Sequence, residues 1–128
     1  MSGHPQLHLD VLVADESDIT RSRMVALLGE LPHVHAFECG GGTAEILRSI
    51  DEFGPACVIL DAPALGAVGN DVIARVRDTC DGCVIVVLTN EASPELEAAC
   101  REAGAAYFLR KWADFERVKE LVAALERR

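Results

Sequence analysis

Hydrophobic positions along the chain alternate between two periods. LDVLVA (9–14) is a short apolar run, and DESDITRSRMVALLGEL follows it with Ile19, Met24, Leu27, Leu28 and Leu31 near helical spacing. Ser17 or Asp18 supplies a cap for that helix, and Pro32 helps to stop it. VHAFE (34–38) is a weaker strand; after the loop CGGGT, Ala44, Ile46, Leu47 and Ile50 mark a second helix ending near Gly54-Pro55. ACVILD (56–61) is a nearly continuous apolar strand, and APALGAVGN is a Gly- and Pro-containing loop. Asp71 to Thr79 reads as a third helix through Val72, Ile73 and Val76, followed by the most apolar strand, CVIVVLT (83–89). Ser93 caps a fourth helix with Pro94 at its first position, and Gly104 ends it. AAYFLR (105–110) is a fifth strand, and Asp114 to about Arg127 a last helix.

Five strands alternating with five helices predict an α/β fold, (βα)₅. Strands 1, 3 and 4 are continuous Val/Ile/Leu runs, as expected of parallel strands buried on both faces. Right-handed crossovers then give one doubly wound parallel sheet with helices on both sides. The 128 residues fit one domain, core about 8–126, with no repeat or linker.

Composition narrows the functional classes. The net charge of −9 disfavours direct nucleic-acid binding and anionic membranes. No apolar run reaches the length of a membrane span, and MSGHPQLHLD lacks the features of a signal peptide, so a cytoplasmic location is expected. Five cysteines (Cys39, Cys57, Cys80, Cys83, Cys100) read as reduced thiols. Cys80-Asp81-Gly82-Cys83 has CxxC spacing, but it follows a helix and opens a strand, the reverse of the redox motif whose helix N-terminus acidifies the thiol. His33 and His35 share a strand face with Cys39 following, a weak zinc signal against a surface-histidine reading; His4 and His8 complete the histidines. GGGT (40–43) raises a flavodoxin-like nucleotide binder as a rival, but the loop follows strand 2 and lacks the GxGxxG or GxxxxGK[ST] spacing.

Ligands of an open parallel sheet bind beyond the carboxyl ends of its strands. Those ends carry Asp15-Glu16, Asp61, Thr89 with Asn90 and Glu91, and Lys111, one of only two lysines. Crowded carboxylates need a cation, and hard oxygen donors suit Mg²⁺. A carboxylate beside Mg²⁺ can accept a phosphoryl group whose oxygens a lysine and a hydroxyl then balance. Helix capping would explain Asp15 or Asp61 singly, but not four coordinated strand ends.

VLVADES, VILDAPALGAVG with Gly66 and Gly69, VIVVLTNE and GAAYFLRK occur in order at matching intervals, and with them nearly the whole chain resembles the receiver domains of two-component response regulators. The resemblance implies a flavodoxin-like sheet of order 2-1-3-4-5 and a chain that is a single receiver domain. It implies phosphorylation of Asp61 by a histidine kinase or phosphotransfer protein, with Mg²⁺ on Asp15, Glu16 and Asp61. Thr89 and Lys111 would bind the phosphoryl oxygens, and Phe108, with Thr89, would switch the helix 4–strand 5–helix 5 face, where a homodimer would form. The chain would be a signalling switch, an enzyme only towards its own phosphorylation and dephosphorylation. The stretch after Asp114 is too short for a DNA-binding output domain, so output would pass through a protein effector or a domain outside this sequence. Five positions depart from the family pattern: Glu16 for Asp, Leu65 for Pro, Asn90 for a small residue, Phe108 for the frequent Tyr, and Trp112 for the Pro after Lys. They keep open a degenerate receiver that binds protein without being phosphorylated. Trp at 112 also predicts a trans Lys111–Trp112 bond, because a cis bond before a residue other than Pro costs roughly 2.5–4 kcal/mol.

Overall fold

The computed structural model describes residues 8–61, 69–91 and 93–126. Within them the elements run β1 (Leu9–Ala14), α1 (Asp18–Leu28), β2 (Val34–Cys39), α2 (Thr43–Phe53), β3 (Cys57–Asp61), α3 (Gly69–Thr79), β4 (Val84–Thr89), α4 (Pro94–Ala103), β5 (Tyr107–Arg110) and α5 (Phe115–Glu126). The five strands form one sheet of order β2-β1-β3-β4-β5, all neighbours parallel. This is the doubly wound α/β architecture expected from the alternation. The loop read at 62–70 falls, over 62–68, outside the described residues, as do His4 and Arg127.

Both sheet faces are covered. Leu12, Leu60, Ile85 and Val87 pack with Ile46 and Ile50 of α2, Ile73 and Val76 of α3, and Cys100 of α4. Val11, Val13, Ile59, Val86 and Leu88 pack on the other face with Met24 and Leu28 of α1 and Val118 and Val122 of α5. Successive strand residues thus serve opposite cores, and this explains why β1, β3 and β4 read as unbroken apolar runs.

Element boundaries differ from the sequence expectation where local hydrogen bonds intervene. Helix α1 stops at Gly29 before Pro32 acts, because Glu30 and Leu31 donate to Leu27 and Leu28, three residues back, in a tightened last turn. Strand β5 begins at Tyr107, because the amide of Ala105 is still committed to Cys100 O at the end of α4. Strand β4 begins at Val84, because Cys83 donates to Cys80 O within a turn. Helix α3 starts at Gly69, two residues ahead of the expected Asp71.

Ser17 is the cap of α1: its Oγ accepts from the Thr20 amide at 3.3 Å. Its own amide donates to Asp15 Oδ1 at 2.8 Å. Ser17→Ala should therefore cost about 1 kcal/mol while leaving the backbone bond to Asp15 in place. Urea unfolding measures the loss, and a cost below a few tenths would show that the cap contributes nothing.

Candidate functional site

Sheet register gathers the candidate residues at one edge. Ala14 pairs with Leu60, so Asp15 and Asp61 both emerge at the carboxyl ends of adjacent strands. Asp61 pairs with Leu88, which sets Thr89 one step farther out on β4. Thr89 pairs with Arg110 and accepts the Lys111 amide on its carbonyl at 2.8 Å, so Lys111 follows β5 into the same edge. Asp15, Asp61, Thr89 and Lys111 are all buried, Asp61 and Lys111 each only 5% exposed.

The Lys111 ammonium bridges the two acids. Its Nζ stands 3.0 Å from Asp15 Oδ2 and 3.1 Å from Asp61 Oδ1. Asp61 Oδ1 is fully buried, and the Lys111 ammonium is its one charged partner among the described residues. Burial, and then the neighbouring Asp15 charge, push the Asp61 carboxyl up from 3.8 to about 6, with Lys111 opposing both. Burial works against the Lys111 ammonium, but Asp15 and Asp61 outweigh it and hold it above the ordinary lysine value.

Two buried carboxylates against one ammonium leave a net negative pocket among the described residues. That donor set, hard and anionic, fits Mg²⁺, which takes one or two carboxylates and keeps several waters. Asp15 and Asp61 would hold it. Glu16, the third acid expected there, is exposed at the rim, and no group of three ligating side chains is gathered among the described residues.

The remaining candidates lie around the pocket. Thr89 Oγ1 accepts from the Glu91 amide at 3.0 Å, an ST-type turn that orients the hydroxyl. Phe108 is half-buried against the core beneath α2, α3 and α4, and Asn90 is exposed. No cis peptide bond occurs among the described residues, so Lys111–Trp112 is trans. The loop after β5 is a closed turn: Asp114 donates to Arg110 O at 3.0 Å, and Asp114 Oδ2 accepts from the Arg110 amide at 2.8 Å. That backbone bond, chiefly, holds the Asp114 carboxyl below the usual range. Trp112 is 51% exposed, stacked on Phe115 at 5.5 Å with Arg23 6.0 Å from its ring centre.

One supporting residue was not legible in the sequence. Arg21, on α1, donates to the backbone carbonyl of Asp15 at 2.6 Å and to Glu38 of β2 at 3.0 Å, and also pairs with Asp18. Glu38's hydrogen bond is the main reason that the guanidinium's pKa is raised. A charged residue on a helix with acids nearby was the available signal, but it does not say which carbonyl the side chain reaches.

The weaker sequence motifs resolve differently. In the GGGT loop, the Gly40 amide donates to Glu45 Oε2 at 3.0 Å, so the chain's own carboxylate occupies that donor. The His8 and His35 rings lie 4.3 Å apart and tilted by 31°, with His35 Nδ1 3.8 Å from Asp10 on the neighbouring strand. Cys39, Cys57 and Cys100 are buried free thiols, and Cys80 and Cys83 are half-buried free thiols.

Comparison with known proteins agrees with this fold. Residues 11–123 match the family model of the response regulator receiver domain, and the chain belongs to that family. Its fold is that of the signal receiver domain of the putative response regulator NarL from Mycobacterium tuberculosis (23% identity, TM-score 0.83, 96% of this chain and 98% of that one). A response regulator from Thermotoga maritima superposes equally well (21% identity, TM-score 0.82, 95% and 100%). So does a putative pilus assembly-related protein from Burkholderia pseudomallei (19% identity, TM-score 0.80, 98% and 95%). A cyclic di-GMP phosphodiesterase of Thermotoga maritima is 27% identical over 110 residues, which cover 84% of this chain and 28% of that protein. The chain thus spans little more than a quarter of that relative's length. As a receiver domain the chain is a module of two-component signalling.

Proposed function

We propose that this receiver accepts a phosphoryl group on Asp61 from a histidine kinase or phosphotransfer protein and passes the signal to a protein effector. The observation that carries the reading is the buried Asp61 carboxylate, set beside a second buried carboxylate with a single lysine ammonium, 3.1 Å from Asp61 Oδ1, as their shared counter-charge among the described residues. A carboxylate oxygen of Asp61 attacks phosphorus, the P–N bond to the donor imidazole breaks, and the departing imidazole takes up a proton. Asp15 and Asp61, with Glu16 following Asp15 in the chain, would hold Mg²⁺, which would supply positive charge for the phosphoryl oxygens. Lys111 exchanges its contact with Asp61 for a phosphoryl oxygen, and the Thr89 hydroxyl donates to another. Phe108 relays the change towards α4 and β5, the face where a homodimer would form. The site acts in the cytoplasm; no helix among the described residues is long and apolar enough to cross a membrane.

The alternative is a receiver that binds its partner without phosphorylation, favoured by the exposed position of Glu16. Mg²⁺ with beryllofluoride, a phosphoryl mimic, separates the two. The phosphorylatable reading expects tighter Mg²⁺ binding with the mimic and a higher melting temperature; saturation to 100 times Kd corresponds to about 2.7 kcal/mol of stabilisation. Trp112 emission should shift in the same titration, because its neighbour Lys111 changes partners, and EDTA should reverse both effects. An unchanged melting curve at saturating additives would favour the binding-module reading.

A further inference from the structure

Cys80 and Cys83 close a hydrogen-bonded turn at the amino edge of the sheet, opposite the acid pocket. The Cys83 amide donates to Cys80 O at 3.1 Å. Gly82, the third residue, has φ 84°, and among the described residues no residue other than glycine has positive φ, the pattern of a type II turn. Such a turn holds its first and fourth α-carbons within roughly 7 Å, and a disulfide spans roughly 4.4–6.8 Å. The Cys80 thiol donates to Pro55 O at 3.3 Å and the Cys83 thiol to Val84 O at 3.8 Å, and burial, and then the Cys80 thiol, push the Cys83 thiol above its ordinary range. Asp81 and Gly82 are exposed, and a side chain added at Gly82 would meet nothing within 4 Å, so the turn is open to a small reagent. Cys57, whose strand partner is Val84, lies beside the pair but is buried completely and pushed up to about 12 by that burial.

We infer that Cys80 and Cys83 form a thiol–disulfide modification site that closes into an intramolecular disulfide when the chain meets a small-molecule disulfide oxidant. The Cys80 thiolate attacks the oxidant's S–S bond, forming a mixed disulfide and releasing one thiol. The Cys83 thiolate then displaces the second thiol, so the chain loses two protons and two electrons and the oxidant is reduced to two thiols. The site is not a catalytic oxidoreductase centre. The pair follows helix α3 and opens strand β4, so no helix N-terminus stabilises a thiolate, and closure is slow at neutral pH and faster at alkaline pH. The bond would pin the end of α3 to the start of β4. This inference does not depend on phosphorylation of Asp61.

Incubation of the reduced chain with oxidised glutathione at pH 8.5, followed by acid quenching and intact mass, tests it. The expected product has lost two hydrogens, carries no glutathione, and titrates three thiols in denaturant, where the reduced chain titrates five. Cleavage before Asp81 should leave its two fragments joined until reductant is added. Cys83→Ser should instead accumulate one stable glutathione adduct at Cys80. Five free thiols after oxidation, a bond involving Cys39, Cys57 or Cys100, or a bond between chains would overturn the inference. The fragment mapping is made on the unaltered chain, so it decides the matter even if the variant fails to fold.

Discussion

Replacing Lys111 with alanine should destabilise the domain by about 3 kcal/mol at neutral pH, the low end for removing one partner of a buried ion pair. The ammonium lies between Asp15 and Asp61, at 3.0 and 3.1 Å, and all three groups are buried. Without it two carboxylates confront each other in a region of low dielectric. The loss stays at the low end because Asp61 already titrates near about 6, so it escapes the repulsion by taking up a proton. The deficit of Lys111→Ala should accordingly shrink as pH falls below 6, when Asp61 is protonated in both proteins, but should not vanish, because Asp15 still lacks its cation. Denaturant unfolding of both proteins at pH 8 and pH 5 measures this. An equal deficit at both pH values would mean that the lysine acts through packing of its stem and not through charge.

Asp61→Asn should do the opposite and stabilise the fold at neutral pH. In the folded chain Asp61 is raised from 3.8 to about 6 by burial and by Asp15. Between those values the folded state binds more protons than the unfolded state, so stability contributed by this group falls as pH rises from about 4 to above 6. A displacement of that size corresponds to roughly 2–3 kcal/mol, and the asparagine variant keeps the shape while removing the charge. The difference in unfolding free energy between variant and original should therefore be near zero at pH 4 and approach that amount above pH 7. A difference curve that is flat, or that rises towards acid, would show that the Lys111 attraction outweighs desolvation. The pattern is that of a functional site, where charge is held at a cost to stability.

Most of the scaffold was written in the chain. Period-2 and period-3.6 patterns with their caps placed β1, α2 and α4 closely, because Ser93, Pro94, Gly54 and Gly104 punctuate them locally. The misplaced ends, at Gly29, Ala105 and Cys83, all come from amides committed to carbonyls three to five residues back. Such bonds depend on backbone geometry and leave hydrophobic periodicity unchanged.

The site was legible to the extent that it lies on strand ends. Asp15, Asp61, Thr89 and Lys111 come together because parallel register carries every strand's carboxyl end to one edge. Glu16 follows Asp15 by one residue and is exposed where Asp15 is buried. Arg21 escaped notice because its role depends on β2 lying beside β1, which brings Glu38 to the helix and aims the guanidinium at Asp15 O. Asp114, expected as the first residue of the last helix, proves to tie the turn after β5 back to Arg110.

Intact mass spectrometry after incubation with phosphoramidate and Mg²⁺ decides whether Asp61 accepts a phosphoryl group. The chain should gain one phosphoryl group, EDTA should prevent the gain, and Asp61→Asn, although folded and more stable, should gain none. No gain in the original chain, or the same gain in Asp61→Asn, would contradict phosphorylation of Asp61.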